Sequence, residues 1–321
     1  MILIIGIGAA AGLVSALLFA VITTGNTIAL LLYFVAPLPI LLAALGWNHR
    51  AGMVAALVGS AMIAVVFRPV AGLAFLVSVA LPAWWYAYLA LLARTDETST
   101  EWYPLGRLLV WIAAISAGLT LAGAMTLGGT YEAFVGAFVR AVRIIETINP
   151  RAFEGLTGEA RAQSIAELAR LLAVLAPPVS AAMGVGMAVL LVWGAAKITA
   201  ASNRLPRPWP ALPDTEMPRT TLAILGIAAV LSVLFDGFAG LGARSAAAAL
   251  TMAYCLQGLA VIHVLTRGMS GRTGMLAGVY IIFIVLPGWP VLLYALVGLA
   301  DAVFGLRARK RAGGPPLRPS P

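Results

Sequence analysis

The sequence predicts an all-α fold, a polytopic bundle of transmembrane helices with about 8–10 membrane segments, and three observations lead to it. The first is composition: of 321 residues, 62% are hydrophobic and 10% charged, against roughly a quarter charged in soluble domains. So few charges cannot cover a water-facing surface, so most of this surface must face the lipid bilayer. The second is the recurrence of apolar runs near the ~20 residues that a helix needs to cross a bilayer. The third is the placement of charge. The net charge of +9 comes from basic residues set singly at the ends of apolar runs and in the C-terminal tail, as topology signals are. That placement argues against nucleic acid as a partner.

The first run is Ile2 to Val21. It lacks a charged leading region and a small-residue cleavage site, and reads as a retained span. Its Gly8, Gly12, Ala16 and Ala20 stand four apart. One face is then nearly bare, and another helix can approach it closely. That helix is either internal or belongs to a second protein. Thr27 to Gly46, Ala51 to Phe67 and Val70 to Ala93 follow, the last two divided by Arg68-Pro69. Trp84-Trp85-Tyr86 and Tyr88 lie about one turn before the polar loop that starts at Arg94, and read as an interfacial aromatic belt.

The fifth run, Leu108 to Leu127, leads into a polar insert at 128–170. Within it, Phe134, Phe138, Val142 and Ile145 recur at spacings of three and four, with Glu132, Arg140, Arg143 and Glu146 on another face. This is an amphipathic helix that ends before Pro150. A second helix, Glu159 to about Leu172, leads into the sixth run, Leu171 to Ala196. The insert reads as an interfacial cap on the outer side, or a lid over a cavity. A proline-rich loop, 197–220, precedes the runs Thr221 to Leu241 and Ser245 to Leu265.

The last run, 273–304, is interrupted at Pro287-Gly288-Trp289-Pro290. As one helix it would extend about 45 Å, long for one span and short for two. A broken hairpin puts the basic loops and the tail on one side, with the 197–220 loop cytoplasmic and both termini inside. One long span would force that loop outside, so the hairpin is preferred. Residues 1–306 then form a single helical domain, and the basic, Gly/Pro-rich tail 307–321 is expected to be disordered. The location this implies is the bacterial inner membrane.

Chemistry is sparse. No His or Cys pair has metal-ligand spacing, and neither a GxxxxGK phosphate loop nor a GxSxG nucleophile elbow occurs. The lone Cys255 lies in an apolar run. No catalytic motif is found and no cofactor or metal is expected, and an intramembrane enzyme acting on a lipid-linked substrate stands as a third, weaker reading behind transport and scaffolding. Polar groups at membrane depth are costly and often functional. Asp236 stands in the seventh run, Tyr254 and Gln257 share a face of the eighth, His263 lies toward its end, and Asp301 ends the last run. Asp236, Tyr254, Gln257 and His263 are the candidate solute-binding residues. The alternative is structural: Gln257 bonding a neighbouring helix, with Asp236 and Asp301 pairing with Arg244 and Arg307.

The C-terminal third carries a resemblance. QGLAVIH at 257–263, Leu286-Pro287, and Gly298-Leu299-Ala300-Asp301 before a Phe and a basic tail resemble the bacterial membrane family called domain of unknown function 2232. The order of spans is similar along most of the chain. That family is distantly similar to the substrate-binding membrane subunits of energy-coupling-factor importers, which dock through small-residue ladders on a transmembrane partner that carries ATPases. The resemblance implies solute binding without an ATPase of its own, with Gly8, Gly12, Ala16 and Ala20 as the partner interface. A membrane scaffold binding other envelope proteins is the alternative.

Overall fold

The computed structural model describes the chain except residues 150, 152–154, 156, 211–212, 214, 287 and 313–321. Seven of its helical segments are long and apolar enough to cross a membrane, and three shorter apolar helices accompany them. This is the all-α polytopic bundle that the composition predicts, with one small addition. In the loop after the fourth run, two three-residue strands, β1 (Ala93–Thr95) and β2 (Thr100–Trp102), pair as an antiparallel hairpin.

The helices gather into two compact units, Met1–Ile112 with Gly186–Met217, and Ala113–Val185 with Pro218–Pro321. In the first, α1 (Ile2–Ala20) packs on α4 (His49–Val66). The two helices carry matching ladders. A side-chain carbon on Gly8 would meet the backbone of Ala51, one on Gly12 would meet that of Ala55, and one on Gly59 would meet the carbonyl of Gly12. Glycine at these levels lets the backbones approach closely, where dispersion holds two helices that lipid would otherwise solvate equally well.

Proline punctuates the rest of this unit. The second run breaks at Pro37 into α2 (Thr27–Val35) and α3 (Leu38–Trp47). Asn26 caps α2 by accepting from the Ala29 amide at 2.7 Å. Asn48 alone joins α3 to α4, at a φ of 120° that a residue with a side chain rarely takes, and caps α4 through the Arg50 amide. Arg68 is extended before Pro69, which opens α5 (Pro69–Phe75). One widened turn, Leu76–Ala80, then precedes α6 (Leu81–Leu91) where Pro82 cannot donate into the helical ladder.

In the second unit, α8 (Tyr131–Ile148) is the amphipathic helix of the insert. Phe134 is buried with Ala124 of α7 (Leu105–Gly128), Ala173 and Leu241. Val142 is buried with Ile165 and Ala169, and Phe138 bridges the two clusters. Ile145, expected on this face, is half exposed. The second helix of the insert does not end before the sixth run. The two are one helix, α9 (Gly158–Ala201), of 44 residues. At about 66 Å it is roughly twice the hydrocarbon thickness, more than one crossing needs, and in its first turns Arg161 pairs with Glu146 of α8. It also takes in Lys197–Ala201, expected to be loop.

Three boundaries decide where the candidate residues fall. The seventh run was expected to reach Leu241, but α10 (Thr220–Leu234) stops earlier and α11 (Gly237–Leu265) begins after Phe235-Asp236. The last run is α12 (Arg272–Val285) and α13 (Trp289–Phe304). Tyr294 donates its hydroxyl to the Val279 carbonyl at 2.9 Å. Residues fifteen apart on a straight helix lie about 22 Å apart, so the chain turns back on itself as a hairpin. The tail expected to be disordered from 307 begins instead with a helix, α14 (Leu306–Ala312). Residues 313–321 of that tail lie outside the described ones.

Candidate functional site

The polar groups of the second unit assemble where α11, α13 and α14 meet. α11 and α13 touch backbone to backbone. A side-chain carbon on Gly258 would collide with the Tyr294 carbonyl, and one on Gly298 with the Tyr254 carbonyl. This approach brings Gln257 against the last turns of α13. Its Nε2 donates to the Gly298 carbonyl and to Asp301 Oδ2, each at 3.3 Å.

Asp301 in turn is clasped by Arg307. The Arg307 backbone amide donates to Oδ1 at 2.9 Å, and Nε and Nη2 donate to Oδ2 at 2.9 and 2.7 Å. Gly305 makes this possible. It takes the left-handed conformation, φ 63°, that ends α13, and α14 then folds Arg307 back over the carboxylate six residues earlier. Asp301 and Arg307 are 6% and 1% exposed. Burying either charge alone would cost several kcal/mol, and the multiple donors onto one carboxylate compensate both. The disorder expected at Arg307 is therefore corrected: an aspartate in an apolar helix end needs a cation, and this arginine supplies it.

Tyr254 lies one turn before Gln257 and is fully buried. Its hydroxyl has no hydrogen-bond partner among the described residues. A buried hydroxyl left unsatisfied costs about 1–3 kcal/mol, so this atom is an open donor and acceptor inside an apolar helix.

The other two candidates lie elsewhere. Asp236 is the residue before α11, with a fully exposed side chain whose closest cation is Arg244 Nη2 at 3.7 Å. Because α11 is one uninterrupted helix, Asp236 lies about 27 Å along its axis from Tyr254. The two cannot touch one small solute. His263 lies about 13 Å the other way, where its Nε2 sits 2.8 Å from the Tyr280 hydroxyl of α12. The structure thus joins Gln257 to Asp301 and Arg307, sets Tyr254 one turn from Gln257 on the same helix, and separates Asp236 and His263 from the cluster.

The ladder residues are also placed. Gly8, Gly12 and Ala16 are buried, with Gly8 and Gly12 directly under α4, while Ala20 is only partly covered. The face open to a partner in the bare sequence is occupied internally.

A family model described as "Predicted membrane protein (DUF2232)" matches residues 13–302. The chain belongs to this family. No curated protein and no solved structure matches it. The match ends between Asp301 and Arg307, so the carboxylate of the buried pair lies inside the family's span and its cation beyond it.

Sequence reasoning offered Arg307 only as the structural alternative, a partner for Asp301, and that pairing is the one the structure shows. A signal was present: an acid at the end of an apolar helix, a glycine four residues on, and a basic residue two beyond it. Arg207, by contrast, was counted only as a topology signal. It stands in the proline-rich loop and is 6% exposed, with its Nη1 donating to the Ala90 and Tyr103 carbonyls at 2.9 and 3.0 Å.

Proposed function

We propose that this membrane protein is a solute-binding component of a transport system, taking a small polar solute within its second unit and supplying no ATP hydrolysis of its own. The observation that supports this reading is the Tyr254 hydroxyl, buried, without a partner among the described residues, and one turn from Gln257 of the compensated polar cluster. An apolar bundle that needed only packing would place phenylalanine there, since the hydroxyl costs free energy until something bonds it. The Gln257–Asp301–Arg307 cluster fixes the flank of such a site by locking α11, α13 and α14 together. Energy would come from a partner or an ion gradient, as the distant similarity to energy-coupling-factor subunits suggests. A bacterial inner-membrane location with both termini cytoplasmic fits the basic loops.

The test is Tyr254→Phe, purified in mild detergent and melted with and without a panel of small polar solutes. The expected result is that some solute raises the melting temperature of the wild type, that the variant loses this shift, and that its melting temperature without solute is unchanged or higher. A variant stabilised as well as the wild type by every active solute would remove Tyr254 from the site. A panel in which nothing stabilises the wild type would favour the scaffold reading.

A further inference from the structure

A second polar site lies in the first unit, where α6 gives way to the hairpin. There β1, β2 and the ends of α4 and α6 border an open pocket of about 500 Å³, with His49, Tyr88, Leu91, Thr95, Thr100 and Trp102 among its walls. The hairpin register decides which side chains face it. Ala93 pairs with Trp102, Thr95 with Thr100, and Arg94 with Glu101. Alternation along a strand then sends Thr95, Thr100 and Trp102 to the pocket and Arg94 and Glu101 to the opposite face. Glu101 is thereby turned away, and Asp96 engages Arg94.

What stands behind the pocket wall is cationic. The Arg207 guanidinium lies 5.8 Å from the centre of the Trp102 ring and 5.9 Å from that of Trp209. Its Nη1 is held by two backbone carbonyls, and its Nε is buried without a partner. Among the described residues no carboxylate pairs with it. The Ala90 carbonyl at the end of α6 and the Tyr103 carbonyl offset part of the charge, but a buried guanidinium with no carboxylate on it among the described residues leaves a net positive field in a low-dielectric wall. In the pocket itself, His49 Nδ1 is buried and also lacks a partner.

The setting is the membrane boundary. A candidate span ends at Leu91, and Trp47, Trp84, Trp85, Trp102 and Trp209 gather at this end with Arg204 stacked over Trp47. Such a belt of amphipathic rings marks headgroup depth. Leu91 and Leu92 give the pocket an apolar margin beside its polar walls.

We propose that this pocket binds the phosphate-bearing headgroup of an anionic amphiphile. The phosphate answers the uncompensated Arg207 field and accepts from the threonine hydroxyls and His49, while the glyceride end lies against the leucines. The site is independent of the reading given to Tyr254.

The test uses the full chain in mild-detergent micelles, titrated with dihexanoyl-phosphatidylglycerol, dihexanoyl-phosphatidylcholine and inorganic phosphate, with the shift in melting temperature as readout. Two variants carry the same change in charge on opposite hairpin faces, Thr100→Glu toward the pocket and Arg94→Gln away from it. Both positions are exposed, so both variants should melt like the wild type without ligand. The expected result is at least a tenfold preference for phosphatidylglycerol over phosphatidylcholine, lost in Thr100→Glu and changed less than threefold in Arg94→Gln. If inorganic phosphate binds as tightly as phosphatidylglycerol with the same dependence on Thr100, the phosphate site stands and the amphiphile is overturned in favour of a soluble ligand. Equal affinity for the two lipids, or equal loss in the two variants, would overturn the proposal.

Discussion

Arg307 and Arg207 are both withdrawn from water, at 1% and 6% exposure, yet their surroundings are opposite in kind. Arg307 sits against a full counter-charge, with three donor contacts onto Asp301 and Gln257 alongside. Arg207 has two carbonyl oxygens, two indole faces and one idle donor. Burial pushes its guanidinium below its ordinary value, though arginine stays protonated in proteins. The difference teaches how to read a buried cation in a membrane protein. One that is closed on a carboxylate is a lock, because removing either half strands a charge. One that is held only by dipoles leaves a field that a ligand can answer.

The sharpest way to break this comparison is Arg307→Ala. It leaves Asp301 buried with only Gln257 beside it, and should destabilise the second unit by about 3–5 kcal/mol, measured by SDS-titrated unfolding in mixed micelles. The double variant Asp301→Leu/Arg307→Met removes both charges and should recover most of that loss, because well-packed apolar replacements of a buried pair are often neutral. Equal losses in the single and double variants would mean that packing, not charge, holds α14.

Arg207→Met should cost less, about 2 kcal/mol, since it strands two carbonyls and no carboxylate. A loss as large as that of Arg307→Ala would erase the distinction between lock and open field. Gln257→Leu should cost about 1 kcal/mol, the usual worth of an interhelical hydrogen bond in a membrane. Its two bonds at 3.3 Å are long, and the Arg307 contacts remain to neutralise Asp301.

Much of this architecture was legible in the sequence, and the limits have physical causes. The spacing of Gly8 and Gly12 announced a close helix crossing, and only the partner was open: α4 answers it with Ala51 and Ala55. Phe134 and Val142 marked the buried face of the insert because amphipathic periodicity is local. Hydropathy placed Asp236 inside a span because an averaging window does not see that Phe235-Asp236-Gly237 joins two helices, although Asp-Gly is itself a turn signal. Arg207 was illegible for a different reason. Its partners Ala90 and Tyr103 are more than a hundred residues away and offer only backbone, which no side-chain pattern reports.

The smallest expected effect separates two levels near the C-terminal end of α11. His263 was a candidate for the same site as Gln257, but it meets only Tyr280, with 2.8 Å between Nε2 and the hydroxyl and 5.8 Å between the rings. This pair is partly exposed, so His263→Phe keeps the ring contact and gives up one hydrogen bond with access to water. Its expected cost is below about 0.5 kcal/mol, with solute-dependent stabilisation intact if the site lies at Tyr254. Were His263→Phe to abolish that stabilisation while leaving unfolding unchanged, the solute would have to sit about 13 Å further along the helix, between α11 and α12. The Gln257–Asp301–Arg307 cluster would then be a lock with no site beside it.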